Sequence, residues 1–157
     1  SFQMEKKIDF MNVHIYSRMA MEKLLKEGVP EDTVIISFYD PPGKSGMVAK
    51  APVNYSGKVE HVFQVALYDL TYETYFPESD ELAEFIFRAK EKGMDIICQC
   101  EYGESRSSGC AAAILEYFYK TGISVFADYR YYPNQVIYHK VFDALSNYQT
   151  KMNAPKN

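Results

Sequence analysis

Three short runs, TVIISFY at 33–39, VFQVALY at 62–68 and MDIICQ at 94–99, are apolar at nearly every position instead of at alternate ones. A strand with one wet face alternates apolar and polar residues, so runs like these are buried on both faces, as in a parallel sheet covered by helices. Stretches with a helical period separate them. In 16–28, Ser17 is a cap, Met21, Leu24 and Leu25 are the apolar face and Gly28 is the stop. Ser79 is predicted to cap a helix over 80–92 with Leu82, Phe85, Ile86 and Ala89 as its buried stripe and Gly93 as its end. A third helix runs over 107–122 and closes at Gly122; a fourth, over 133–148, has Asn134 as cap and Ile137, Val141, Ala144, Leu145 and Tyr148 on one face. Residues 43–60, rich in Gly, Pro, Lys and Ser, are predicted to be a surface connection. The expected fold is α/β, a central and mostly parallel sheet flanked by helices, with residues 1–157 as one domain.

Composition narrows the function classes. A content of 47% hydrophobic and 15% aromatic residues fills a core and argues against disorder. The net charge of -4 comes without a basic block, Lys6 and Lys7 being a solvated pair, so neither nucleic acid nor an anionic membrane is an expected partner. No stretch reaches the roughly 20 apolar residues of a membrane span, and the N-terminal residues lack the pattern of a secretory signal. Cys98, Cys100 and Cys110 are odd in number and bunched, which suits free thiols in a reducing compartment, so a cytoplasmic location is expected.

The sequence IICQCEYGESRSSGCAAAI at 96–114 places a polar loop between a strand and a helix, where open α/β sheets bind ligands. A loop feeding a helix N-terminus gathers backbone N–H groups without intrahelical partners, and with the helix dipole they form a seat for a tetrahedral anion. Gly103 lets the backbone curl, and Arg106 offers a planar fork for two phosphate oxygens. Cys100 lies at the base, where a positive field favours the thiolate nucleophile, and Ser107 can offer a hydroxyl to its sulfur. Glu101, Tyr102, Gly103, Glu104, Ser105 and Arg106 are thus the candidate phosphate-binding loop. Cys98 and Cys110 read as packing residues, either of which could form a protective disulfide with an oxidised Cys100.

CEYGESRSSGCAAAILEYFY resembles the signature of the cysteine-dependent protein tyrosine phosphatase superfamily, in its small dual-specificity branch: Cys, two residues, Gly, two residues, Arg, Ser, then an apolar helix. The similarity runs from about residue 62 through YYPNQVIYHKVFDAL; residues 1–60 match only as a helix and a strand. The resemblance implies a phosphatase fold and hydrolysis of phosphomonoesters through a phosphocysteine on Cys100, with no metal and no cofactor. Substrates would be phosphorylated proteins or small phosphomonoesters. It also implies a general acid about thirty residues upstream of the cysteine, a role that falls to Asp69, with Asp80 and Asp40 as alternatives. Two departures stand out. The family usually has a histidine before the cysteine, where this chain has Gln99, and Glu101 and Glu104 would oppose the thiolate unless they point to solvent. That acidic pair argues against highly charged inositol phosphates.

Two other readings fit the loop: a rhodanese-like sulfurtransferase, and a catalytically silent module that binds phosphate. Weaker signals lead nowhere. GKS at 43–45 lacks the earlier glycine of a nucleotide-binding loop, since Phe38 stands there. His14, His61 and His139 have no metal-ligand spacing. DYRYYPN at 128–134 could form a wall of the pocket.

Overall fold

The structure is a computed structural model of the chain and describes residues 10–43, 51–69 and 75–155. The elements are β1 (Val13–Tyr16), α1 (Arg18–Glu27), β2 (Thr33–Tyr39), β3 (Val62–Ala66), α2 (Ser79–Glu91), β4 (Asp95–Gln99), α3 (Arg106–Tyr119), α4 (Ile123–Phe126) and α5 (Gln135–Asn153). Among the described residues the sheet has four strands in the order β1-β4-β2-β3, all parallel, as the apolar runs predict. α1 links β1 to β2 and α2 links β3 to β4, each crossing between parallel strands that are not neighbours.

The strand period of two divides the core into two layers. Val34, Ile36 and Phe38 of β2 and Ile96 and Cys98 of β4 face a large cluster that includes Leu82, Ile86, Ile114, Ile137 and Leu145 from α2, α3 and α5. Ile35 and Ile97 face a smaller cluster with Met21 and Leu25 of α1 and with Val53 and Tyr55. The same parity continues past β4. Cys100 falls on the side of α3, while Gln99 is left on the side of Tyr55.

Several expectations need correction. The sequence pattern missed β1, a short edge strand with no fully buried residue. Ser79 is not the cap of α2 but its first residue; Glu78 holds the cap position without a side-chain hydrogen bond. The helix expected over 107–122 starts at Arg106 and ends at Tyr119, because Lys120 turns left-handed at φ 58° and Gly122 opens α4. Residues 43–60 are not wholly a surface connection: Val53 and Tyr55 are buried beneath α1. Lys44 and Ser45 of the GKS stretch, like Lys6 and Lys7, lie outside the described residues. Ser17 and Asn134 are caps as expected, accepting from the Ala20 and Ile137 amides at 3.1 and 2.9 Å. No helix among the described residues is long and apolar enough to cross a membrane.

Candidate active site

The carboxyl ends of the strands converge on the loop between β4 and α3. Cys100, 3% exposed, lies at its floor, and its Sγ is 3.0 Å from the Ser107 Oγ. The loop above is shaped by what happens to its carbonyls. The Cys100 carbonyl accepts from Gln99 Nε2 at 2.9 Å, and that of Glu101 from the Arg18 amide at 3.0 Å. The Glu104 carbonyl accepts from the Tyr132 amide at 2.8 Å, and that of Ser105 from the Asn134 amide at 3.0 Å. In a trans peptide unit the C=O and the next N–H point opposite ways. Tying these four carbonyls outward therefore turns the N–H groups of Glu101, Tyr102, Ser105 and Arg106 toward the loop interior, the arrangement of an anion-binding nest.

Gly103 completes the curl at φ 66° and packs against the junction of β1 and α1. A Cβ there would stand 2.7 Å from the Ser17 amide nitrogen and 2.9 Å from the Tyr16 carbonyl carbon, so no other residue fits. Cys100 itself donates its amide to the Tyr16 carbonyl at 3.2 Å. The missed strand β1 is thus part of what shapes the loop.

Arg106 is 6% exposed and turned inward. Its Nη1 donates to Asp40 Oδ1 and to the Leu67 carbonyl, both at 2.7 Å, at the ends of β2 and β3. Asp40, an alternative acid in the sequence, is engaged as this guanidinium's partner. Asp69 is reached by two donors on a single oxygen: Ser105 Oγ at 2.7 Å and Asn134 Nδ2 at 2.6 Å both bond its Oδ1. The cap of α5 and Ser105 of the loop together hold that carboxylate at the loop's rim. Asp80 stands in the first turn of α2, where the helix dipole accounts for it.

The two loop glutamates differ. Glu101 turns away to an ion pair with Arg18 Nε at 3.0 Å, while Glu104 is exposed. Beside them a cleft of about 340 Å³ runs between α1 and the loop, lined by Arg18, Met19, Glu22, Tyr102 and Glu104 among others. Cys98 and Cys110 are fully buried, and burial, followed by the hydrogen bond to Cys110, pushes the Cys98 thiol well above its ordinary value. Of the 128–134 segment, Tyr132 is 72% exposed beside Glu104, while Asp128 is lowered to about 2 by hydrogen bonds from Arg130. No group of His, Cys, Asp and Glu able to hold a metal occurs among the described residues. Sequence reasoning missed Asp40 as the partner of Arg106 and the second role of Asn134, whose spacing shows the cap but not the bond from its side-chain nitrogen to Asp69.

No protein-family model matches the sequence, and no curated protein does. Solved structures are similar. Human DUSP28 superposes with a TM-score of 0.53 at 15% identity, over 88% of this chain and 94% of its own. A human tyrosine phosphatase-like serine/threonine/tyrosine-interacting protein gives 0.54 at 19%, over 88% and 87%. PTPMT1, in complex with PI(5)P, gives 0.51 at 11%, over 90% and 94%. A parallel sheet bearing a Cys-to-Arg loop before a buried helix, matched over most of these chains, establishes that the protein has the fold of the dual-specificity phosphatases.

Proposed function

We propose that the chain is a cysteine-dependent phosphomonoester hydrolase of the protein tyrosine or dual-specificity type, and that residues 1–157 form its single catalytic domain. In this reading the Cys100 thiolate attacks phosphorus, the ester oxygen leaves with a proton from Asp69, and a phosphocysteine remains. Asp69 then takes a proton from water, whose oxygen displaces the sulfur and releases inorganic phosphate. Both bonds to Asp69 fall on Oδ1, so in this reading Oδ2 carries the transferable proton. Arg106 uses Nη1 on the protein, so Nε and Nη2 are assigned to phosphate oxygens. Ser107, 3.0 Å from the sulfur, steadies the thiolate as it forms and as it leaves. The inward-turned N–H groups of the loop would hold the remaining oxygens.

The observation that supports this reading most is the conjunction of a cysteine at the floor of an outward-tied loop with a carboxylate fastened to that loop's rim. A phosphorylated protein is the proposed substrate class. PTPMT1 was crystallised with PI(5)P, but here the loop carries the exposed Glu104 and no basic side chain besides Arg106, which disfavours a multiply charged inositol headgroup. Hydrolysis of para-nitrophenyl phosphate across pH tests the assignment. Cys100→Ser should abolish turnover while phosphate still binds. Asp69→Asn should slow turnover and remove its alkaline fall, because the parent loses rate as rising pH strips the acid's proton and the amide has none to lose. A phosphate-binding module without turnover would bind in all three proteins and hydrolyse in none.

A further inference from the structure

The register of the sheet lines up three polar side chains at its carboxyl end. Gln64 of β3 pairs with Ser37 of β2, and Ser37 pairs with Gln99 of β4. Tyr55, from the segment expected at the surface, closes over them and is 6% exposed; Ser37 is 1% and Gln99 2% exposed. Gln64 is exposed at the sheet's edge, but Ser37 and Gln99 lie in the core, where each is costly unless it finds a partner, and no buried side-chain polar atom among the described residues lacks one.

Donor and acceptor counting sets each orientation in turn. Gln64 Nε2 donates to the Val53 carbonyl at 3.0 Å and to Ser37 Oγ at 3.4 Å, so the Ser37 hydroxyl directs its own proton onward, to Gln99 Oε1. The Tyr55 hydroxyl donates to the same Oε1 at 2.9 Å. The amide cannot be turned end for end: either hydroxyl could accept from an N–H, but the amide oxygen would then face the Cys100 carbonyl, acceptor against acceptor. Gln99 Nε2 must then face the other way, and there it meets the Cys100 carbonyl. Burial raises Tyr55 to about 12, so the phenol remains a donor throughout the working range of an enzyme.

We propose that Ser37 and Tyr55 are positioning residues of the candidate site: they lock the amide of Gln99 so that it holds the Cys100 carbonyl outward and keeps the Glu101 N–H turned into the phosphate seat. Gln99 thereby orders the loop without a charge, at the position before the cysteine where the family usually has a histidine. This inference rests on the phosphatase reading of the loop. It assigns a function to two residues far from the loop in sequence, and it makes the effect of each pass through Gln99.

Its test uses the full chain with Tyr55→Phe, Ser37→Ala, Gln99→Leu and the Tyr55→Phe/Gln99→Leu double variant. Two measurements need no turnover: affinity for inorganic phosphate, and the pH midpoint of Cys100 alkylation by iodoacetamide. Tyr55→Phe and Ser37→Ala should each weaken phosphate binding about tenfold, the worth of one buried hydrogen bond, and move the alkylation midpoint upward. In the Gln99→Leu background, Tyr55→Phe should add nothing further. If either single variant is too unstable to study, the other gives the same reading. A lowered melting temperature with unchanged phosphate affinity and midpoint would overturn the proposal, as would an undiminished Tyr55→Phe effect in the Gln99→Leu background. A parent that binds phosphate and passes these tests but hydrolyses nothing would refute the phosphatase reading and leave this inference standing; a parent that does not bind phosphate refutes both.

Discussion

Arg106 shows how much the site depends on single side chains. Its guanidinium is committed at one nitrogen to Asp40 and Leu67, a geometry in which a planar fork can serve the protein and a phosphate together, and a lysine cannot. Arg106→Lys should lower the rate about 100-fold in para-nitrophenyl phosphate assays while leaving the far-ultraviolet circular dichroism unchanged. Gly103→Ala tests the loop's curl. The positive φ and the 2.7 Å approach to Ser17 predict a loss of about 2 kcal/mol in urea unfolding, with weaker phosphate binding. Tyr55 gives a signature in pH. Its value rises from 10.0 to about 12 on folding, so between these the folded chain keeps a proton that the unfolded chain has released, and stability falls as pH climbs through that window. Below pH 10 the contribution is whole. Urea midpoints over this range should decline more steeply in the parent than in Tyr55→Phe, by a difference on the order of 2 kcal/mol. The residues named by the loop's spacing were legible because each chemical type has few uses there. Tyr55, Ser37 and Asp40 were not, because their partners lie 44, 62 and 66 positions away.

At the scale of elements, α3 and α5 do more than cover the sheet. They meet so closely that a Cβ on Gly109 would stand 2.5 Å from the Asn134 carbonyl oxygen, and Asn134 both caps α5 and grips Asp69. The two roles separate in Asn134→Asp. Aspartate caps as well as asparagine and suits the helix dipole, so the melting temperature should stay within a few degrees of the parent; it cannot donate, and it sets a second carboxylate against Asp69. Turnover should drop at least tenfold, and an unaffected rate would remove Asn134 from the account. The elements readable in the sequence are those whose signal is local: β2, β3 and β4 from continuous apolar runs, α1 and α5 from caps and stripes. What escaped has its cause at long range. β1 is four residues, three half-buried and His14 exposed, made a strand by pairing with β4, and Val53 and Tyr55 sit in a stretch whose Gly, Pro and Ser content suggested solvent until α1 packed over it.

Across the whole molecule, the two apolar layers share one sheet, β2 and β4 contributing to both, so neither layer can come apart alone. The described chain should unfold in one cooperative transition with coincident near- and far-ultraviolet signals. The same sheet joins the chemistry together: each of its four strands ends at the loop, β1 through Tyr16, β2 through Asp40, β3 through Leu67 and β4 through Cys100 itself. The central claim is that the Cys100 sulfur takes the phosphoryl group. Trapping tests it most directly, with para-nitrophenyl phosphate as substrate and Asp69→Asn as the enzyme, because a good leaving group still departs without the acid, though more slowly, while the lost base slows release of the intermediate further. Acid quenching followed by peptide mapping should find phosphate on Cys100, and none when Cys100→Ser is added. Turnover that leaves Cys100 unmodified, or a phosphoryl group on another residue, would contradict the account.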